Sequence, residues 1–181
     1  MNFSPAQLLD FLIENGHAWV RAQRDRHRPG GRTLLATERT ALRPFFDERI
    51  LDGTRIVSVP VIPNPDFYAR LAALGVSPPL DFTVMEGITF IDTILVSERE
   101  YPRSDPLEPL LFHELVHVVQ YALLGIDAFV DRYVRGWAEN GQDYFAIPLE
   151  RDAYELQERF VGCPGVAFAI ETEVRRRLGL V

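Results

Sequence analysis

The sequence predicts an α+β domain, on three observations. Short β-branched stretches are confined to residues 55–97, helical periodicity lies on both sides of them, and 181 residues suit one hydrophobic core. Residues 1–50 read as a helical N-terminal part, 55–97 as strands, and 105–181 as helices, with no internal repeat. Ser4-Pro5 is a helix start, so the spacing predicts a helix over residues 5–28, with a break expected at Gly16. Its arginine-rich tail, Arg21 to Arg28, reads either as a patch for an anionic ligand or as a solvated helix end whose charges complement the dipole. After the Pro29-Gly30-Gly31 breaker, a second helix is expected over 37–48, ahead of an Asp52-Gly53 turn.

Residues 55–62 alternate as a strand closed by Pro60, and residues 66–74 form a short helix stopped by Gly75. Three β-branched stretches follow, 82–85, 87–91 and 93–97, divided by Glu86-Gly87 and Asp92, and they read as neighbouring antiparallel strands. The chain turns through residues 101–104 into a helix opened by Asp105-Pro106-Leu107-Glu108, which has the form of a capping box with Pro106 at the first helical position. Gly125 is placed to end that helix in a left-handed conformation. Ile126, Phe129, Val130, Tyr133, Val134 and Trp137 then fall on one helical face, with Asp131 paired to Arg135 on the other, up to Asn140-Gly141. A further helix opens at Pro148 with Leu149, Ala153, Leu156 and Phe160 as its apolar stripe and ends at Gly162; a last one covers 165–178.

Composition narrows the function. The net charge of −7 argues against broad nucleic-acid binding, which needs a surplus of basic side chains facing phosphates. There is no lysine, which removes Schiff-base chemistry. Cys163 is the only cysteine, so neither an intramolecular disulfide nor a thiolate zinc cluster is expected, and its place before Pro164 suits a helix boundary. No signal peptide and no membrane-spanning segment is expected, so the protein reads as soluble and cytoplasmic, without a membrane partner. Its oligomeric state is not legible.

Residues 113–117 are His-Glu-Leu-Val-His, inside an otherwise apolar helical run. From Leu110 to Ile126 the strongly polar groups are His113, Glu114, His117, Gln120 and the Tyr121 hydroxyl. Side chains four apart share a helix face, so His113 and His117 can hold one metal ion, and Glu114, one step round, can act as general base on a water bound to it. Two imidazoles and a carboxylate buried without partners are costly, and a divalent zinc ion supplies the partner. A catalytic zinc commonly takes three protein ligands. His17 and His27 lie far upstream with no partner at ligand spacing. On the helix opening at Pro148, Glu158 points away from the apolar stripe, and Glu155 is nearly as exposed and can pair with Arg151 and Arg159. Glu150 lies at the stripe's edge beside Tyr154 and Gln157 and is the first candidate; Asp152, at the opposite edge, is the second, and Glu150 can instead merely offset the helix dipole.

The run Leu110 to Tyr121, followed by Pro148-Leu149-Glu150-Arg151-Asp152-Ala153-Tyr154, resembles the glutamate-zincin metallopeptidases. It is more closely similar to small bacterial metallopeptidase domains with a His-Glu-Leu-x-His-Val-Val-Gln signature, some of which occur with phage-tail-like injection systems. The resemblance implies a zincin-like fold, with a small antiparallel or mixed sheet packed on a central metal helix, and Glu150 as third ligand. The chain departs from larger relatives in having Tyr154 where an aspartate often stands and in lacking an obvious downstream catalytic histidine. The expected activity is cleavage of a peptide or protein substrate by zinc-bound water, with Glu114 as base and Tyr154, then Tyr144, as donor to the oxyanion. Tyr154 and Tyr144 also read as packing aromatics with satisfied hydroxyls. A binding or assembly module that uses the Trp137 face and keeps the metal as structure, and a regulatory protease of narrow specificity, are the other expectations.

Overall fold

The computed structural model describes residues 4–101 and 106–180. Helix α1 (Pro5–His27) starts where expected: the Ser4 hydroxyl accepts from the Gln7 N–H at 3.2 Å, and the Gln7 side chain accepts from the Ser4 N–H at 2.9 Å. It does not break at Gly16. A Cβ there would stand 3.0 Å from Val130 Cγ1, so the glycine is a place of close helix approach and not a hinge. Three arginines of its tail, Arg21, Arg24 and Arg28, are paired within the fold. Arg24 makes a two-pronged pair with Asp92 (3.0 and 3.1 Å), Arg28 meets the same carboxylate at 3.1 Å, and Arg21 bonds Asp127 at 3.0 Å.

The single helix expected over 37–48 is two, α2 (Ala36–Leu42) and α3 (Glu48–Gly53). Pro44, which lacks a donor N–H, separates them, and the N–H groups of Phe45 and Phe46 fold back onto the Leu42 carbonyl. Strand β1 (Arg55–Val59) stops at Pro60, short of Ile62. Helix α4 (Tyr68–Ala73) is terminated by Gly75 at φ +73°. The stretch 82–85 is not a strand. Asp81 accepts from the Thr83 N–H (3.0 Å) and hydroxyl (2.7 Å), and Asn64 accepts from the Phe82 N–H (2.8 Å), so local side-chain bonds bend it into a 3-10 turn, Phe82–Val84.

Strands β2 (Gly87–Phe90) and β3 (Thr93–Ser97) form the antiparallel hairpin, turning at Ile91 with φ 63°. β1 joins β3 in parallel, giving a mixed sheet of order β1-β3-β2. Every residue of β3 is buried, which explains its Ile94-Leu95-Val96 apolar centre in place of alternation.

Helix α5 (Glu108–Glu139) runs through the core. Its first residue is Glu108, with Leu107 at the cap and a proline, Pro109, in the first turn, so Pro106 does not open it; Asp105, the expected cap, lies outside the described residues. At Gly125 the backbone leaves the helix (φ 75°, ψ 168°) and the helix resumes at once. The φ is positive as expected, but the ψ is extended, so the residue makes a corner and not a left-handed cap. α5 is long and apolar enough to cross a membrane, contrary to expectation, yet 67% of its most apolar window is buried within the fold, as a core helix requires.

Phe112, fully buried, packs its ring against Phe45, Phe46 and Phe160 at centroid distances of 5.5, 5.1 and 4.4 Å. This cluster ties α5 to the segment before α3 and to α6 (Pro148–Gly162). Trp137 is 7% exposed, so its face is turned into the protein's own interior and not to the outer surface. The last helix, α7 (Ile170–Arg177), is shorter than the expected 165–178. Its Arg177 draws both Glu155 (2.6 Å) and Asp152 (2.9 Å), which replaces the pairing of Glu155 with Arg151 and Arg159.

Candidate metal centre

One turn of α5 separates His113 from His117, and the two Nε2 atoms lie 3.1 Å apart. The first turn of α6 brings Glu150 over them, its Oε2 3.2 Å from His113 Nε2 and 3.3 Å from His117 Nε2. All three residues are buried, and they form a group of donors able to share an ion. The spacing fits a metal. Bonds of about 2.0–2.1 Å to a tetrahedral zinc require ligand atoms roughly 3.3 Å apart.

Each ring is held by an amide carbonyl from behind. His113 Nδ1 donates to Gln157 Oε1 at 3.1 Å and His117 Nδ1 to Gln120 Oε1 at 2.8 Å, the tautomers following from these acceptors. Gln120 is in turn fixed by donating its Nε2 to the Leu149 carbonyl at 3.0 Å. With Nδ1 kept protonated by these acceptors, Nε2 of each ring faces the shared point and is the atom that would give its lone pair to an ion there. The second oxygen of Glu150, Oε1, accepts from the Tyr133 hydroxyl at 2.7 Å.

Electrostatics of the metal-free cluster follow from its depth. Burial alone would strip His117 of its proton, but the Glu150 carboxylate outweighs it and raises the imidazole to about 9. Burial pushes Glu150 upward too, and the imidazoles overcome it, holding the carboxyl far below the usual carboxylate range. The cluster without metal is therefore an ion pair, and a cation entering it displaces a proton.

Glu114 turns toward the sheet. Its Oε2 accepts from the Thr89 hydroxyl of β2 at 2.7 Å, and its Oε1 lies where a Cβ on Gly87 would stand 2.6 Å away. Burial drives this carboxyl up, against the opposing pull of His113, His117 and Thr89. Glu114, His117 and Glu150 line a common cavity.

Of the two tyrosines expected near the site, Tyr154 lays its ring 4.4 Å from that of His113, and Tyr144 lies 6.4 Å from Tyr154. Burial and the charge on Glu150 push both phenols up, so both remain protonated donors. Asp152 is not in the group; it belongs to Arg177. His17 lies elsewhere, its Nε2 3.3 Å from the Asp127 carbonyl. Sequence reasoning assigned no role to Tyr133, Thr89, Gln120 or Gln157. Gln120 carried a readable signal, a polar residue three after His117 on an apolar helix, whereas Tyr133 sat on an apolar stripe like any packing ring. Compared with protein-family models, with curated proteins and with solved structures, the chain finds no match.

Proposed function

We propose that this chain is a zinc metallopeptidase of zincin-like fold, with His113, His117 and Glu150 as metal ligands and Glu114 as general base. The observation that carries the reading is the set of three buried donor atoms 3.1–3.3 Å apart with a further buried carboxylate opening on the same cavity. A small mixed sheet beside a two-helix metal site agrees with the fold that the reading needs.

A zinc ion held there would supply a Lewis acid for a carbonyl and a water whose pKa is lowered to around 7. Glu114, its proton affinity raised by burial, takes the proton of the attacking water and passes it to the leaving amine. Thr89 keeps the carboxylate aimed while leaving Oε1 free of that bond. Tyr154, against the His113 ring, donates to the oxyanion; Tyr133 is held by Glu150, and Tyr144, which also engages that carboxylate, is the second donor only where it turns from it. β2 is an edge strand and carries both Gly87 and Thr89, so an extended polypeptide added to that edge would run past Glu114.

The depth of the site favours the narrow-specificity form of this activity: His113, Glu114, His117 and Glu150 are only 4–5% exposed. The test uses the zinc-loaded full chain on a mixed peptide library and on casein. Glu114→Gln is expected to keep stoichiometric zinc and to lose hydrolysis by at least ~100-fold. Equal cleavage by the two proteins would overturn the assignment of the base.

A further inference from the structure

The site opens on more than a surface groove. Glu114, His117 and Glu150 form one side of a cavity of about 120 Å3 that is partly open to solvent, and no other charged side chain lines it among the described residues. Its remaining lining is mostly apolar, with Thr89, several tyrosines and the indole N–H groups of Trp19 and Trp137, which have no hydrogen-bond partner among the described residues, as its uncharged polar groups; much of it comes from parts of the chain remote from the metal motif. Leu12, Trp19 and Val20 come from α1, Phe82 from the turn before β2, and Val130 and Trp137 from the part of α5 beyond Gly125. Unfilled apolar volume on this scale weakens a core, because its lining atoms lose their contacts on one side.

Given the peptidase reading above, on which this inference rests, we infer that the cavity is a specificity chamber for one bulky apolar side chain, of phenylalanine size, on the residue next to the attacked carbonyl. Size selects the occupant. The space is close to the roughly 150 Å3 apolar cavity that admits a benzene molecule, and is too small for a long acyl chain. Chemistry agrees, since the walls beyond the metal end carry no charge, and their indole N–H groups can meet the face of an aromatic ring. The chamber gives α1 a role: it is the back wall. That wall is already at contact, because a Cβ on Gly16 would stand 3.0 Å from Val130 Cγ1, so the depth is fixed by the side chains that line it.

The test compares N-acetylphenylalanine hydroxamate with N-acetylglycine hydroxamate on the zinc-loaded full chain by calorimetry. The phenyl compound is expected to bind roughly 30-fold tighter, the ratio that burying one phenyl group yields. Val130→Phe, which places a ring in the chamber, is expected to cut that ratio to below about 3 while leaving the glycine compound within about 2-fold. Val20→Phe is the second filling variant, used if the first does not fold. A measurement independent of metal accompanies these: toluene raises the melting temperature of the metal-free wild type and has no effect on a folded, filled variant. A ratio near unity in the wild type, or a ratio and a toluene shift unchanged in a folded filled variant, overturns the chamber. Hydrolysis that depends on Glu114 but ignores the apolar side chain sinks the chamber and leaves the peptidase. The expected hydroxamate ratio without hydrolysis of any peptide sinks the peptidase and leaves the chamber.

Discussion

The Tyr133 hydroxyl donates to Oε1 of Glu150 across 2.7 Å, so this carboxylate presents one oxygen, Oε2, to His113 and His117. The bond spans the corner in α5: the histidines precede Gly125 and the tyrosine follows it. Glu150 is thereby held as a one-oxygen donor. Tyr133→Phe removes only the hydroxyl. Zinc affinity measured by chelator competition is expected to fall roughly 10- to 100-fold, the usual cost of losing an outer partner of a ligand. The cobalt-substituted protein should also change its absorption spectrum, as Glu150 becomes free to engage through both oxygens. Unchanged affinity and spectrum would mean that the phenol merely packs.

Thr89 tunes Glu114, the proposed base. Its hydroxyl stabilises the charged form of Glu114 and opposes the upward push of burial. Thr89→Val removes that stabilisation, so the Glu114 pKa rises further. Because the base must be deprotonated to work, the acid limb of the kcat/KM profile should move to higher pH, with zinc content unchanged. A profile that stays in place would separate Thr89 from the titrating group.

The metal-free protein should carry the signature of its ion pair. His117 is raised from 6.5 to about 9, so its contribution to stability is complete below pH 6.5 and is lost as pH rises through about 9. Glu150 is depressed, so its contribution is present above 4.5 and is lost as pH falls toward its lowered value. Melting temperature against pH should therefore fall from neutrality toward pH 9 in the metal-free wild type, and His117→Gln should flatten that limb. Zinc binding near neutrality should release a proton, with apparent affinity rising about tenfold per pH unit until His117 deprotonates. Calorimetry in buffers of different ionisation enthalpy counts that proton.

Gly87 reserves space for the Glu114 carboxylate. A Cβ there would lie 2.6 Å from Glu114 Oε1 and 3.1 Å from Leu110 Cδ1. Gly87→Ala should displace the carboxylate while leaving the proposed ligands His113, His117 and Glu150 in place. Activity is expected to drop by up to ~100-fold, the scale of an ångström-sized misplacement, with metal stoichiometry preserved. Full activity in this variant would place the working position of Glu114 elsewhere.

Much of this arrangement was legible because it rests on helical periodicity. His113 and His117 share a face by spacing alone, and Glu150 was ranked above Glu155 and Glu158 by its angle to the apolar stripe; these three are the residues that the fold brings together. What was not legible depends on tertiary direction. Residues 82–85 have the composition of a strand, and only the side chains of Asp81 and Asn64 make them a turn. Tyr133 could be assigned to the site only once the angle at Gly125 was known, since its place on an apolar stripe is equally that of a core ring. Arg177 recruiting Asp152 and Glu155 likewise needed α7 in position, because a partner in a different helix leaves no periodic trace.

Gly125 has open space around its α-carbon, with no atom within 4 Å of where a side chain would begin. Room is therefore not what excludes other residues; the φ of 75° with ψ 168° is. The constraint is one of handedness. A D-alanine introduced by semisynthesis sits comfortably in that mirror-image conformation, while L-alanine, of equal volume, pulls the chain back toward a straight rod and swings Tyr133 off its carboxylate. Whether Tyr133 reaches Glu150 thus turns on a backbone conformation of opposite hand at one position, eight residues beyond His117.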